Sequence, residues 1–255
     1  MIPLKDDNPT SSPAVITILI IVACTVVYFF AQPGGKSVVR HSQSTEITQE
    51  KDTEFTFEHA AIPCELVHDH PLTAGELQSD TCDTPANRQP LFPHKLVYLA
   101  ILYSMFLHGS LLHIGGNMLF LWIFGNNIED RFGKPFFVLF YLLAGVVATF
   151  AQVALSPGSV VPMIGASGAI AGVMGAYLVL YPNAPINSLI LIPPIVLFRK
   201  IPAKWLLLLW IGSQFILSPG SDVAWMAHVG GFAFGILVGF LWRAGSRPRE
   251  VAPAY

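Results

Sequence analysis

A serine, Ser167, stands in the sequence Gly-Ala-Ser-Gly at the head of an apolar run, Met163 to Pro182, that otherwise holds almost nothing reactive. A serine hydroxyl is a weak nucleophile until a base takes its proton, and a neutral imidazole is the usual base at physiological pH. Two histidines lie in similarly apolar surroundings. His113 occurs in His-Ile-Gly-Gly-Asn, with Asn117 four residues on and so on the same face of a helix, and His228 occurs in Ala-His-Val-Gly-Gly-Phe-Ala-Phe-Gly. A serine that starts a helix has free backbone N–H groups and the positive dipole end beside it, both favourable to a developing oxyanion. His113 and Asn117 would add side-chain donors. A nucleophile, a base and an oxyanion hole are the parts of an acyl-transfer site. No acidic third member occurs in the apolar stretches, so the pattern is a dyad of Ser167 and His228.

Each residue taken singly has a plainer reading, since polar side chains often bond one membrane helix to another and small ones let helices pack. The elements that position them decide between the two. Of 255 residues, 53% are hydrophobic and 12% charged, far more apolar than an ordinary soluble domain. The net charge of -2 and the scattered Lys and Arg leave no footprint for nucleic acid. The composition is that of a membrane protein, with the lipid bilayer as its first partner. A crossing needs about 20 helical residues, and six spans follow: 14–31, 111–128, 135–154, 166–181, 205–217 and 224–242. The apolar region 95–128 is divided at His108, because ~34 helical residues would extend about 50 Å. Residues 96–107 then lie along or dip into the interface. The segment 183–204 is apolar enough to dip into the membrane, and Pro193 and Pro194 would break a helix there.

The chain divides into a cytoplasmic tail (1–13), a first span (14–31), a long extracytoplasmic loop with its interfacial segment (32–110), spans two to six (111–242) and a cytoplasmic tail (243–255). The loop carries most of the 16 acidic residues. Its Cys64 and Cys82 would pair in an oxidising compartment. Orientation follows from the basic residues: Arg131 and Lys134, then Arg199, Lys200 and Lys204, then Arg243, Arg247 and Arg249 all fall on one side, the cytoplasmic one. Spans two, four and six then start on the outer side, and His113, Ser167 and His228 share one plane within a turn or two of it. Gly168, Gly172 and Gly175 form one small-residue stripe, and Gly231, Gly235 and Gly239 another on the face that His228 begins. Such stripes let helix backbones approach closely, which would set Ser167 opposite His228.

These residues resemble the rhomboid family of intramembrane serine proteases. The motifs are Gly165-Ala-Ser167-Gly168, the His228 segment with Gly231 and Gly235, and His113 with Asn117, in the family's order and spans. The resemblance implies an all-α, six-transmembrane-helix bundle in which Ser167 attacks the scissile carbonyl and His228 is the general base. Asn117, His113 and the Ser167 N–H would hold the oxyanion. His108 matches a histidine of many members and is given a structural or hydration role, while Glu129 and Arg131 match a Glu-x-Arg pair at the cytoplasmic end. Two positions depart from the family. Some members carry a tyrosine four residues after the nucleophile, against which the base packs, and this chain has Ala171. The Trp-Arg pair often found in the first loop is missing between Leu91 and His108.

The resulting expectation is a serine endopeptidase that uses no cofactor and no metal and cleaves other transmembrane proteins, in a bacterial-type inner or plasma membrane with both termini cytoplasmic. A metal site at His108, His113 and His228 is disfavoured by the lack of an H-E-x-x-H helix or an in-membrane carboxylate. A transporter should place charged or broken helices near the midplane instead. The main rival is a non-proteolytic relative that binds membrane proteins through the same fold.

Overall fold

The computed structural model describes residues 1–39, 46–82, 89–192, 195–217 and 223–245. Arg247, Arg249, Pro193 and Pro194 lie outside them. The fold is mostly helical and centres on helix α9 (Ser167–Leu180), in which every residue from Gly168 to Tyr177 is buried. A helix apolar on all sides needs neighbours on all sides. They are α7 (Leu111–Phe132), α8 (Lys134–Leu155), α10 (Ala203–Leu217) and α11 (Trp225–Gly245). Helix α1 (Val15–Val26), continued by a π-helical turn Val27–Ala31, packs on α7. Helices α8 and α11 are long and apolar enough to cross a membrane, while Val15–Ala31, α9 and Ala203–Ile216 are apolar but shorter. The outward surface carries Leu19, Phe30, Leu209, Ile216 and Leu241, each more than half exposed.

The tightest contact joins α9 to α11, which run parallel. A methyl group added at Gly231 would collide with the carbonyl of Gly168, and one at Gly235 with the carbonyl of Gly172. Only glycine lets the two backbones come this close. Ala144 and Ala148 of α8 lie against Gly172 and Gly168 from another side.

The all-α expectation needs correction at the far end of the bundle. Strands β1 (Ile2–Asp6), β2 (Pro185–Ile192) and β3 (Ile195–Pro202) form an antiparallel sheet in that order. Leu189 pairs with both Ile2 and Phe198. An apolar run of eight residues does not distinguish a strand from a membrane-dipping segment by its period, and its partners in β1 lie 180 residues or more away in the chain. Residues 1–13 are therefore not a free tail. Asp6 is buried, accepting from Tyr177 Oη (3.0 Å) and from the Asn127 amide, and Asn8 donates to Asn127 (2.7 Å). Burial raises the Asp6 carboxyl above its ordinary range.

Residues 32–110 are not irregular either. They contain α2 (Pro33–Val39), α3 (Glu46–His59), α4 (Pro63–His68), α5 (Ala74–Ser79) and α6 (Ala100–Ser104). Cys64 and Cys82 are joined by a disulfide. Lys95 Nζ lies 2.6 Å from Glu65 Oε2, with both side chains almost wholly inaccessible. Lys95 also donates to the Phe57 carbonyl (2.6 Å), and Glu65 accepts from the Leu72 N–H (2.9 Å). Burial raises the Glu65 carboxyl and lowers the Lys95 ammonium, against their mutual attraction. Each charge thus depends on the other. Lys95→Met should destabilise the fold by about 3–5 kcal/mol by stranding a buried carboxylate, whereas Lys95→Met with Glu65→Leu should recover most of the loss. Thermal unfolding of the two variants in detergent checks this.

Candidate active site

The segment that delivers Ser167 is held from two sides. The Met163 N–H donates to the Ala61 carbonyl (2.8 Å) and the Gly165 N–H to the Ser104 carbonyl (2.9 Å), while Ser104 Oγ accepts from the Ala61 N–H (2.7 Å). Residues 32–110 thereby reach the approach to α9. Ser167 is the first residue of that helix, so its own N–H has no partner within the helix. His228 lies in the first turn of α11. With the two helices parallel and in glycine contact, the side chains meet: His228 Nε2 is 2.8 Å from Ser167 Oγ.

The other imidazole nitrogen, Nδ1, lies 2.7 Å from Oε1 of Gln214 on α10. The Trp210 ring, one turn earlier on α10, sits 5.7 Å from the imidazole, tilted by 46°. Ala171 is fully buried within the core and offers no ring to the base. Gln214 escapes sequence analysis because no motif frames it, whereas Asn117 and Ser167 stand beside glycines in His-Ile-Gly-Gly-Asn and Gly-Ala-Ser-Gly. Its signal was present, an amide in the apolar run Leu-Leu-Leu-Leu-Trp-Ile-Gly-Ser-Gln-Phe-Ile-Leu.

On the other side of Ser167, α7 brings His113 and Asn117. Ser110 caps α7, its side chain accepting from the His113 N–H (3.1 Å). The Gly109 N–H points at His113 Nδ1 (3.4 Å) and requires a lone pair there, so the ring proton of neutral His113 sits on Nε2. A Cβ built on Gly165 would come 2.7 Å from that Nε2 and 3.5 Å from Asn117 Nδ2. Asn117 Nδ2 is buried with no hydrogen-bond partner among the described residues. Two side-chain donors therefore converge on a small space that glycine leaves open, next to the first N–H groups of α9. Gly165 also has φ +118°, which side chains disfavour. This space belongs to a cavity of about 610 Å³ lined by His113, Asn117, Ser167, Trp210, Gln214 and His228.

His108 is not in the cavity lining but stands behind it, its ring 5.2 Å from that of His113 at 70°. Its backbone exchanges two hydrogen bonds with the Gln32 amide (2.9 and 3.0 Å). Burial lowers its pKa to about 4, so it is neutral at physiological pH. The expected pairing of Glu129 with Arg131 is corrected: Glu129 instead accepts from the N–H groups of Ile16 (3.0 Å) and Thr17 (2.7 Å) and from Thr17 Oγ1 (2.8 Å). Residues two apart on a helix do not face each other, and the start of α1 supplies unpaired donors with a positive dipole end.

The arrangement suits attack by a serine on a carbonyl, with proton removal on one side and charge stabilisation on the other. The family model described as "Rhomboid domain" matches residues 96–245. "Presenilin-associated rhomboid-like protein A, mitochondrial" of Danio rerio is 32% identical over 152 residues, 57% of this chain and 39% of that protein. "Rhomboid protein 1, mitochondrial" of Saccharomyces cerevisiae is 32% identical over 151 residues, 56% of this chain and 41% of that protein. "Rhomboid protease GluP" of Bacillus subtilis is 40% identical over 78 residues, 31% of this chain and 15% of its own length. The chain thus spans about two fifths of the two mitochondrial relatives. Their location overturns the expected bacterial-type inner or plasma membrane with cytoplasmic termini. The physical reason is plain: a bias of Lys and Arg reports on which side a loop stays, not on which membrane holds it.

Gly165→Ala should place a methyl group in the donor-lined space and abolish reaction of Ser167 with a small fluorophosphonate probe, at a stability cost of about 1–3 kcal/mol for the strained backbone. Labelling and thermal unfolding of the purified variant measure both effects.

Proposed function

The chain belongs to the rhomboid family, and on that premise we propose that it is an intramembrane serine endopeptidase acting on other membrane proteins within or beside a transmembrane helix. The observation that carries this reading is the 2.8 Å contact of His228 Nε2 with Ser167 Oγ at the start of a helix, beside a cavity lined by Asn117, whose Nδ2 has no hydrogen-bond partner among the described residues. In the proposed reaction His228 takes the Ser167 proton as Oγ attacks the peptide carbonyl. The oxyanion is received by Asn117 Nδ2, His113 Nε2–H and the Ser167 N–H. Protonated His228 then delivers its proton to the leaving amine, and a water activated by the same base hydrolyses the acyl-enzyme. These steps need no metal or cofactor.

The proposed setting is a six-span bundle of 14–31 and α7 to α11, with residues 32–110 outside the bilayer. The apolar outward faces support this, because a lipid-facing surface has no reason to be polar. Helices α7, α9 and α11 share one direction, so His113, Ser167 and His228 lie together at the end away from Arg131 and Arg243. Water must reach the serine from that end. A substrate helix must also unwind locally, since a carbonyl bonded within its own helix is closed to attack, and helix-breaking residues in the substrate should speed cleavage.

Ser167→Ala should abolish, and His228→Ala should lower by at least 10³-fold, both fluorophosphonate labelling and cleavage of a model transmembrane substrate in proteoliposomes, with the fold retained. Cleavage that survives Ser167→Ala would sink the proposal. Folded wild-type protein that neither labels nor cleaves would favour the rival reading of a membrane-protein binding factor.

A further inference from the structure

We propose that Gln214 is the positioning residue of the site: its side-chain carbonyl holds His228 in the tautomer and orientation that let Nε2 accept the Ser167 proton. This rests on the dyad reading of Ser167 and His228. The sequence contains no acidic residue in the apolar stretches to do this work, and the family's ring-supplying position is Ala171 here.

A neutral imidazole carries one proton. If it sits on Nε2, that nitrogen faces Ser167 Oγ as a donor and cannot act as the base. If it sits on Nδ1, an acceptor must meet it there, and the atom at 2.7 Å is Gln214 Oε1. An amide has an oxygen end and a nitrogen end, and the surroundings of the far end determine which one faces His228. Gln214 Nε2 lies 3.4 Å from the Trp210 carbonyl and 3.4 Å from Ser213 Oγ. The carbonyl can only accept. The Ser213 hydroxyl already donates to that same carbonyl (2.6 Å), which leaves its lone pairs for Gln214. Reversing the amide would set a carbonyl oxygen against another carbonyl oxygen. Oε1 therefore faces His228, Nδ1 carries the proton, and Nε2 presents its lone pair to Ser167.

Residues 210, 213 and 214 stand at helical spacings that share a face, and α10 turns this face towards α11. Trp210 limits the tilt of the ring while Gln214 limits its rotation. As the Ser167 proton arrives the imidazole becomes charged, and the bond to Oε1 becomes a charge-assisted one that strengthens during the step. An amide does this without a second ionised group in an apolar site. Among the described residues, the polar groups that neighbouring helices present to this cavity are Ser104 of α6, His113 and Asn117 of α7, Thr149 of α8, Ser167 of α9, and Trp210 and Gln214 of α10; none of these is a carboxylate, and His113 is the titratable imidazole among them.

The test is the rate of Ser167 labelling by a fluorophosphonate as a function of pH, on purified full-length wild type, Gln214→Met, Gln214→Glu, Ser167→Ala and His228→Ala. Methionine matches the length and volume of glutamine without its carbonyl. Gln214→Met should label about 10- to 100-fold more slowly than wild type, less than the roughly 10²- to 10⁴-fold that outright loss of the general base would cost, while its thermal unfolding stays within a few degrees. Gln214→Glu restores an acceptor and should recover most of the rate. It should also move the acidic limb of the pH profile to higher pH, because a carboxylate beside the imidazole favours the inactive protonated form. A folded Gln214→Met protein with the wild-type rate and pH profile overturns this inference and leaves the dyad standing, provided that labelling still needs Ser167 and His228. Wild-type labelling that persists in His228→Ala overturns the dyad, and the inference with it.

Discussion

Two helix backbones in van der Waals contact hold the site together. Ser167 and His228 are 61 residues apart in the chain, and neither side chain is long. They meet because α9 and α11 run parallel with Gly168, Gly172, Gly231 and Gly235 facing one another, where a single added methyl group would strike a backbone carbonyl. In a lipid environment no hydrophobic force draws one apolar helix to another, so close packing of this kind is the main source of helix association. Ala144 and Ala148 of α8 extend the same logic to a third helix. The register of the glycines along each helix sets the height at which the serine and the imidazole face each other.

The site built on that contact depends on hydrogen-bond direction more than on charge. In the proposed site two imidazoles line the cavity of one serine in opposite tautomers. His113 receives a backbone N–H at Nδ1 and so turns a proton towards the cavity, whereas His228 faces a carbonyl oxygen at Nδ1 and so turns a lone pair towards it. One is suited to stabilise an anion and the other to remove a proton. Each ring has its second nitrogen engaged, and in apolar surroundings every such dipole counts for more than it would in bulk water. Asn117 Nδ2, buried without a partner among the described residues, carries a desolvation penalty that the oxyanion of the proposed reaction would relieve.

Both ends of the bundle are braced by segments that do not look structural. At the site end, residues 61 and 104 bond the strand of chain that leads into Ser167, and the Glu65–Lys95 pair with the Cys64–Cys82 disulfide stiffens the segment making those bonds. At the opposite end, β1 pairs with β2 and sends Asp6 in to meet Tyr177 and Asn127. Glu129 joins α7 to the start of α1. The central helix is therefore anchored at its first and its last turns by hydrogen bonds, while its middle is held by packing alone.

Much of this was legible before folding was considered. Hydropathy marked the apolar helices because the cost of burying backbone and side chains is additive along the chain, and the motifs around Ser167, His113 and His228 marked groups that the fold brings to one cavity, because few other polar side chains occur in apolar runs. The glycine stripes even indicated which helices approach, since their spacing follows the helical period. Other features exist only in three dimensions. The sheet depends on pairing residues 2–6 with 186–189, and an apolar run carries no mark of a distant strand partner. Glu129 turns from Arg131 to α1 because side chains two apart on a helix diverge, which a local motif does not express. Gln214 is one uncharged side chain in an apolar helix until α10 lies against α11. Only then does its carbonyl face an imidazole, with the positions of Trp210 and Ser213 favouring that end of the amide. Composition and spacing determine which groups are available; hydrogen-bond direction is a property of pairs, and the tertiary structure chooses the pairs.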